Sequence, residues 1–233
     1  MENELNFYDR EFPANYEQKC PVVVIVDRSG SMAGAAISEL NKGLLEFEEE
    51  IKNDPVALSR LDVGIVSFGS DTKVEREFAL VDEEAMPTIG ISGSTKLVDG
   101  MREGMRLLRA RKDWYKSTQQ TYYRPYIILI TDGAPDPGQD VDGLASEIRK
   151  EASAKGLCFW PIAVTGADMN MLNKIAVPDI PGNLPPLMLS GLKFVELFKW
   201  LSSSFTKISN SKDGDGIDLT PEPGSKNPFQ FSV

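Results

Sequence analysis

Asp27, Ser29 and Ser31, in the run Asp27-Arg28-Ser29-Gly30-Ser31, place one carboxylate and two hydroxyls on alternate residues directly behind an apolar stretch. Thr95, in Gly93-Ser94-Thr95, and Asp132, in Thr131-Asp132-Gly133, add a third hydroxyl and a second carboxylate from two distant parts of the chain. All five are hard oxygen donors. Together they suit a small divalent cation that takes a near-octahedral oxygen shell, keeps waters and needs only one or two carboxylates. Magnesium is the expected ion, with manganese and calcium as alternatives. Hydroxyl ligands leave part of the ion's charge uncompensated, so an acidic group from a partner can complete the shell.

The composition narrows the chemistry further. The chain contains no histidine, which removes Ser-His-Asp and Cys-His nucleophiles and His-bearing zinc sites. Two cysteines, Cys20 and Cys158, are too few for thiolate zinc centres. Each falls near the start of an expected strand. With another strand between them they would lie about 10 Å apart at roughly 4.8 Å per spacing, beyond the ~7 Å reach of a disulfide between Cα atoms, so free thiols are expected. A formal charge of -10 opposes non-specific binding to nucleic acid or anionic membrane. No apolar run approaches the roughly 18 residues of a membrane span, and the first residues lack a signal-peptide pattern. The expected setting is cytoplasmic.

The elements that must position these donors are read from periodicity. Val22 to Ile25 is an unbroken β-branched run, the mark of a strand covered on both faces and hence of a parallel α/β sheet. Residues 126–130 repeat that pattern, and in both cases an aspartate follows at the carboxyl end, where open α/β sheets bind ligands. Between them lie an amphipathic helix over 37–51 stopped at Asp54-Pro55, a strand over 61–69, and an alternating, charged strand over 73–80. The short turn 70–72 predicts an antiparallel hairpin, with the charged strand at a sheet edge. Thr95 leads into a helix carrying Leu97, Met101, Met105, Leu107 and Leu108. Residues 110–124, polar, basic and aromatic, read as a surface excursion, either a recognition patch around Arg111, Lys112, Trp114 and Tyr115 or a plain exposed loop. A helix near 141–155, a strand over 157–164, a helix near 168–176, a short strand near 187–189 and a helix near 192–205 complete the alternation.

The expected fold class is therefore α/β: a doubly wound, mostly parallel sheet with one antiparallel edge strand and helices on both faces. The expected organisation is an N-terminal arm over residues 1–18, one domain over 19–206 and a polar, Pro- and Gly-containing tail over 207–233 that builds no core of its own.

Taken singly, each donor has a plainer use. Asp and Ser cap helices and fill solvated turns, Thr95 could cap a helix, and Asp132 before Gly133 is a good turn residue. Taken together and in order, Asp27-x-Ser29-x-Ser31, Thr95 and Asp132 resemble the metal-ion-dependent adhesion site of von Willebrand factor A domains. That resemblance implies a divalent-metal-dependent protein-binding module with no catalytic residues, in which one of the aspartates reaches the ion through water. Leu197-Phe198-Lys199-Trp200 and the tail are similar to the bacterial tellurium-resistance-associated branch. Membership there would imply a stress-response role beside kinase and phosphatase proteins. Two alternatives stand beside it. One is a metal-dependent phosphohydrolase of the haloacid-dehalogenase type, although Arg28-Ser29 occupies the place of that family's second acid. The other is an adaptor subunit of a chaperone-like ATPase.

Overall fold

The computed structural model describes residues 13, 15–210 and 228–229. Most of the expected arm (1–18) and tail (207–233) therefore lies outside the described residues. The described chain forms one six-stranded sheet in the order β3-β2-β1-β4-β5-β6. Its strands are β1 (Cys20–Asp27), β2 (Leu61–Phe68), β3 (Thr72–Leu80), β4 (Tyr126–Thr131), β5 (Cys158–Ala163) and β6 (Leu187–Met188). Every neighbour pair is parallel except β2 with β3. This is the expected α/β class, with the charged strand β3 on the antiparallel edge.

β1 sits centrally, between β2 and β4, and all eight of its residues are buried. Its side chains alternate between the two layers that cover the sheet. Val22, Val24 and Val26 join the core under helices α1 (Ala35–Lys52) and α6 (Phe194–Asn210). Val23 and Ile25 join the opposite core, under α3 (Leu97–Ser117), α4 (Val141–Ser153) and α5 (Met169–Ile175). The chain leaves β1 by way of α1 towards β2 on one side and returns from β3 by way of α3 to β4 on the other. The connections thus part between β1 and β4, the place where a doubly wound sheet opens a crevice at its carboxyl edge.

Packing of the first layer depends on one small residue. A Cβ on Gly43 of α1 would lie 2.5 Å from Cδ2 of Phe198 and 3.0 Å from the carbonyl oxygen of Phe194, both in α6. The two helices meet there in direct contact, and their aromatic residues Phe47 and Phe198 stand 5.7 Å apart between ring centroids.

Two features differ from expectation. Asp54-Pro55 ends α1 and also starts a further helix, α2 (Pro55–Arg60), because the Asp54 carboxylate accepts the Val56 and Ala57 N–H groups and proline suits the first helical turn. Residues 110–117 are the last two turns of α3 rather than a surface excursion. Arg111 and Tyr115 are buried there because Asp62, wholly buried at the start of β2, needs a counter-charge and donors. The Arg111 guanidinium reaches the Asp62 carboxylate at 2.6 and 2.7 Å and lies 4.1 Å over the Trp114 ring, and the Tyr115 hydroxyl donates to the same carboxylate. Arg111 is accordingly no part of a recognition patch.

Cys20 and Cys158 are both free and buried, with β4 between their strands as the spacing argument requires. Among the described residues, no helix is long and apolar enough to cross a membrane.

Candidate metal centre

The crevice at the carboxyl edge is lined by three loops, and each carries part of the expected donor set. The first follows β1. Asp27 ends the strand wholly buried, and the Ser29 N–H donates to its Oδ1 at 2.9 Å. A single 3-10 turn, Gly30–Met32, then presents Ser31, whose hydroxyl lies 3.0 Å from that of Ser29. The third loop follows β4, and here the Ser31 hydroxyl donates to Asp132 Oδ1 at 2.8 Å across 101 residues of sequence. Asp27, Ser29, Ser31 and Asp132 are thus joined in one hydrogen-bonded cluster.

Thr95 comes from the second loop, which is laced to the first by two backbone bonds. Gly30 N–H donates to the Gly93 carbonyl at 2.7 Å, and Ser92 N–H to the Arg28 carbonyl at 2.7 Å. The second loop is also pressed against the end of β2, where a Cβ on Gly69 would sit 2.1 Å from the Ser92 carbonyl oxygen. Thr95 lies close to the Asp27 and Asp132 cluster. A Cβ placed on Gly133 would be 3.7 Å from the Thr95 hydroxyl and 3.8 Å from Asp27 Oδ2. The Thr95 hydroxyl makes no hydrogen bond among the described residues, although the residue is 91% shielded from solvent (9% exposed).

None of the five acts as a helix cap. Ser29 precedes the 3-10 turn without a side-chain cap bond, Gly34 stands at the start of α1, and Lys96 rather than Thr95 immediately precedes α3. The Asp27 carboxylate is wholly buried, so its charge has to be compensated within the fold.

Several residues that hold the donors were not singled out from sequence. The Thr131 hydroxyl, at the end of β4, donates to Asp27 Oδ2 at 2.6 Å. Asp136 and Gln139 clamp the Thr95 backbone: Asp136 Oδ2 accepts the Thr95 N–H at 3.1 Å, and the Thr95 carbonyl accepts from Asp136 N–H at 3.1 Å and Gln139 Nε2 at 2.6 Å. Arg28 turns away from the donors to pair with Asp71 in the β2–β3 turn at 2.6 Å, and the Ser92 hydroxyl donates to the same Asp71 oxygen at 2.8 Å. The only sequence signal among these was position: Thr131 directly precedes Asp132.

Electrostatics fit a cation. Burial raises the Asp27 carboxyl above its ordinary range, opposed by hydrogen bonds from Ser29 and Thr131 and reinforced by the nearby Asp132 charge. Burial likewise raises Asp132, opposed by the Ser31 hydroxyl. Two carboxylates sheltered from water and close to each other gain most from a positive charge between them. Among the described residues no three His, Cys, Asp or Glu side chains cluster. The donor set is instead rich in hydroxyls, with two acids only, and suits an ion that keeps waters.

The sheet order and the covering helices define a doubly wound α/β domain, with these oxygen atoms gathered from three loops at its switch point. The sequence profile of the von Willebrand factor type A domain matches residues 22–183, and the chain belongs to that family. Over 120 residues it is 28% identical to inter-alpha-trypsin inhibitor heavy chain H3 of Mesocricetus auratus, a match that covers 51% of this chain and 13% of that protein. The chain thus spans only a small part of the curated relatives it matches. Its fold is similar to the pilus adhesin SpaC of Lactobacillus rhamnosus GG, in the open conformation, with a TM-score of 0.62 at 15% identity over 82% of this chain and 30% of that one. It is also similar to the ArnB paralog VWA2 of Sulfolobus acidocaldarius, with a TM-score of 0.53 at 16% identity over 82% of this chain and 46% of the other. At these identities the likeness speaks to the fold.

Proposed function

We propose that the chain is a protein-binding module whose recognition depends on a divalent cation, magnesium first, held by Asp27, Ser29, Ser31, Thr95 and Asp132. The observation that carries this reading is the convergence of those five side chains, from three loops, at the carboxyl edge of the sheet, four of them buried and Ser31 open to solvent. When bound, the ion would supply a Lewis-acidic contact for a carboxylate of the partner. The chain's own residues do the rest. Ser31 holds Asp132, Thr131 and the Ser29 N–H hold Asp27, and Asp136 with Gln139 fix the backbone that carries the Thr95 hydroxyl.

A partner carboxylate is favoured by valence and charge. Two aspartates and three neutral hydroxyls leave the shell open to one further anion, and more so if one aspartate acts through water. The net charge of -10 repels acidic partners at long range, so attraction at the site must come from the ion. Membership of the tellurium-resistance-associated branch, and a place beside kinase and phosphatase proteins, is a finer proposal. Its support is the sequence of the last helix and tail; Leu197 and Phe198 are core residues of α6, so their identity reflects packing on α1 as well.

The test is capture on the immobilised chain followed by elution with EDTA. The reading predicts that EDTA releases the bound protein, that magnesium restores binding, and that Thr95→Ala weakens partner binding more than metal binding. A complex indifferent to both EDTA and Thr95→Ala would contradict it. Turnover of phosphate esters by the pure protein with magnesium would instead favour the phosphohydrolase.

A further inference from the structure

The far edge of the sheet carries a contact that has no part in the metal site. β6 is two residues long and pairs with β5 on one side only, so its outer edge would present backbone groups to any extended chain. The two residues that directly follow β6 are paired on this side. The Ser190 N–H donates to the Pro228 carbonyl at 2.7 Å, and Leu189 and Phe229 form an antiparallel bridge.

The side chain of Phe229 is gripped as well as its backbone. Its ring stands 5.0 Å from that of Trp200 at an interplanar angle of 89°, the edge-to-face geometry that aromatic pairs prefer. Trp200 in turn lies 5.5 Å from Trp160, which stacks on Phe205 at 5.7 Å and 5°. Phe229 is only 7% exposed, and Pro228 is buried beside it. Backbone pairing to a sheet edge for affinity and a side-chain pocket for selectivity are the two parts of peptide recognition by strand addition. Proline at 228 suits it, because its fixed φ favours an extended approach and the edge asks there for a carbonyl and not an N–H.

We propose that the β6 edge and the aromatic nest around Trp200 form a binding site for an extended Pro-aromatic segment, filled in cis by Pro228–Phe229 and able to take the same segment from a second copy of this chain. Tethering gives the cis segment an effective concentration of about the millimolar range, so the site is closed to free peptide until the cis copy is withdrawn. Exchange of an identical segment between copies needs no contact that the single chain does not already make.

The experiment uses the full chain and a labelled synthetic peptide of residues 224–233, with binding followed by fluorescence anisotropy. Phe229→Ala in the chain vacates the nest, and the peptide should then bind at least about tenfold more tightly than to the unaltered chain, whose open fraction is small. A peptide carrying Phe229→Ala should not bind, whereas one carrying Phe231→Ala should. Should the Phe229→Ala chain not fold, Phe229→Leu, which keeps apolar volume without the ring contact, takes its place with the same expected direction. Equal binding by altered and unaltered chains, or peptide binding that follows Phe231 instead of Phe229, would overturn the proposal.

Discussion

Thr131 Oγ1 donates a hydrogen bond to Asp27 Oδ2 at 2.6 Å, joining the ends of β4 and β1 across the point where the chain's connections part. The bond fixes the carboxylate that the candidate site is built on, and Thr131 is wholly buried. Thr131→Val keeps the shape and removes the donor. It should lower magnesium affinity by about 10–100-fold, the usual effect of removing a group that orients a ligand. Leaving the buried Asp27 oxygen without its donor should cost about 1–3 kcal/mol of stability. The check is the magnesium concentration that raises the unfolding temperature halfway, and an unchanged concentration would show that Thr131 does not position Asp27.

The ion pair between Arg111 and Asp62 makes a prediction on stability alone. Arg111→Met leaves the Asp62 carboxylate buried at 0% exposure without its counter-charge, and should cost about 3–5 kcal/mol. Adding Asp62→Ala should restore part of that loss, because the unpaired charge is gone, so the double variant is more stable than the sum of the two changes. Chemical denaturation of the three variants measures this, and strict additivity would mean that the pair is not coupled.

Lys19 predicts a pH dependence. The residue is 2% exposed, its ammonium donates to the Glu17 and Ser59 carbonyls at 3.0 and 3.1 Å and to Asn15, and burial pulls its pKa down to about 8. In the unfolded chain the value returns to about 10.4. Between these two values the unfolded state binds more protons than the folded one, so stability attributable to Lys19 rises with pH, by up to about 1.4 kcal/mol per unit. Comparing unfolding free energies of the wild type and Lys19→Met from pH 7 to 10 isolates it. The difference between the two chains should change across that window; a constant difference would show that Lys19 keeps an ordinary pKa.

The central strands and the candidate donors were legible in the sequence for one reason. β1 and β4 are covered on both faces, so each is an unbroken apolar run, and a carboxylate immediately after such a run stands out. The hairpin and the charged edge strand were legible because a three-residue turn leaves only antiparallel pairing. The buried end of α3 was not. Arg111, Lys112, Asp113, Trp114 and Tyr115 have the composition of a surface segment, and the charge that draws Arg111 inside belongs to Asp62, 49 residues away. Asp136 and Gln139 escaped notice because they grip backbone atoms of Thr95, which leaves no pattern in side-chain types. Phe229 was hidden for a different reason: one aromatic within a polar, proline-bearing stretch has no periodicity to reveal its partner.

The account rests on an ion at the carboxyl edge of the sheet, and calorimetric titration of magnesium into the full chain tests that most directly. Asp27→Asn is the matched control, since it keeps the shape and one of the two acceptor oxygens and removes one charge. The account predicts a single saturable binding heat for the wild type and an affinity at least ~100-fold weaker for Asp27→Asn, beyond the loss expected for a supporting group. Equal affinities in the two chains, or no heat with magnesium, manganese or calcium in the wild type, would contradict it.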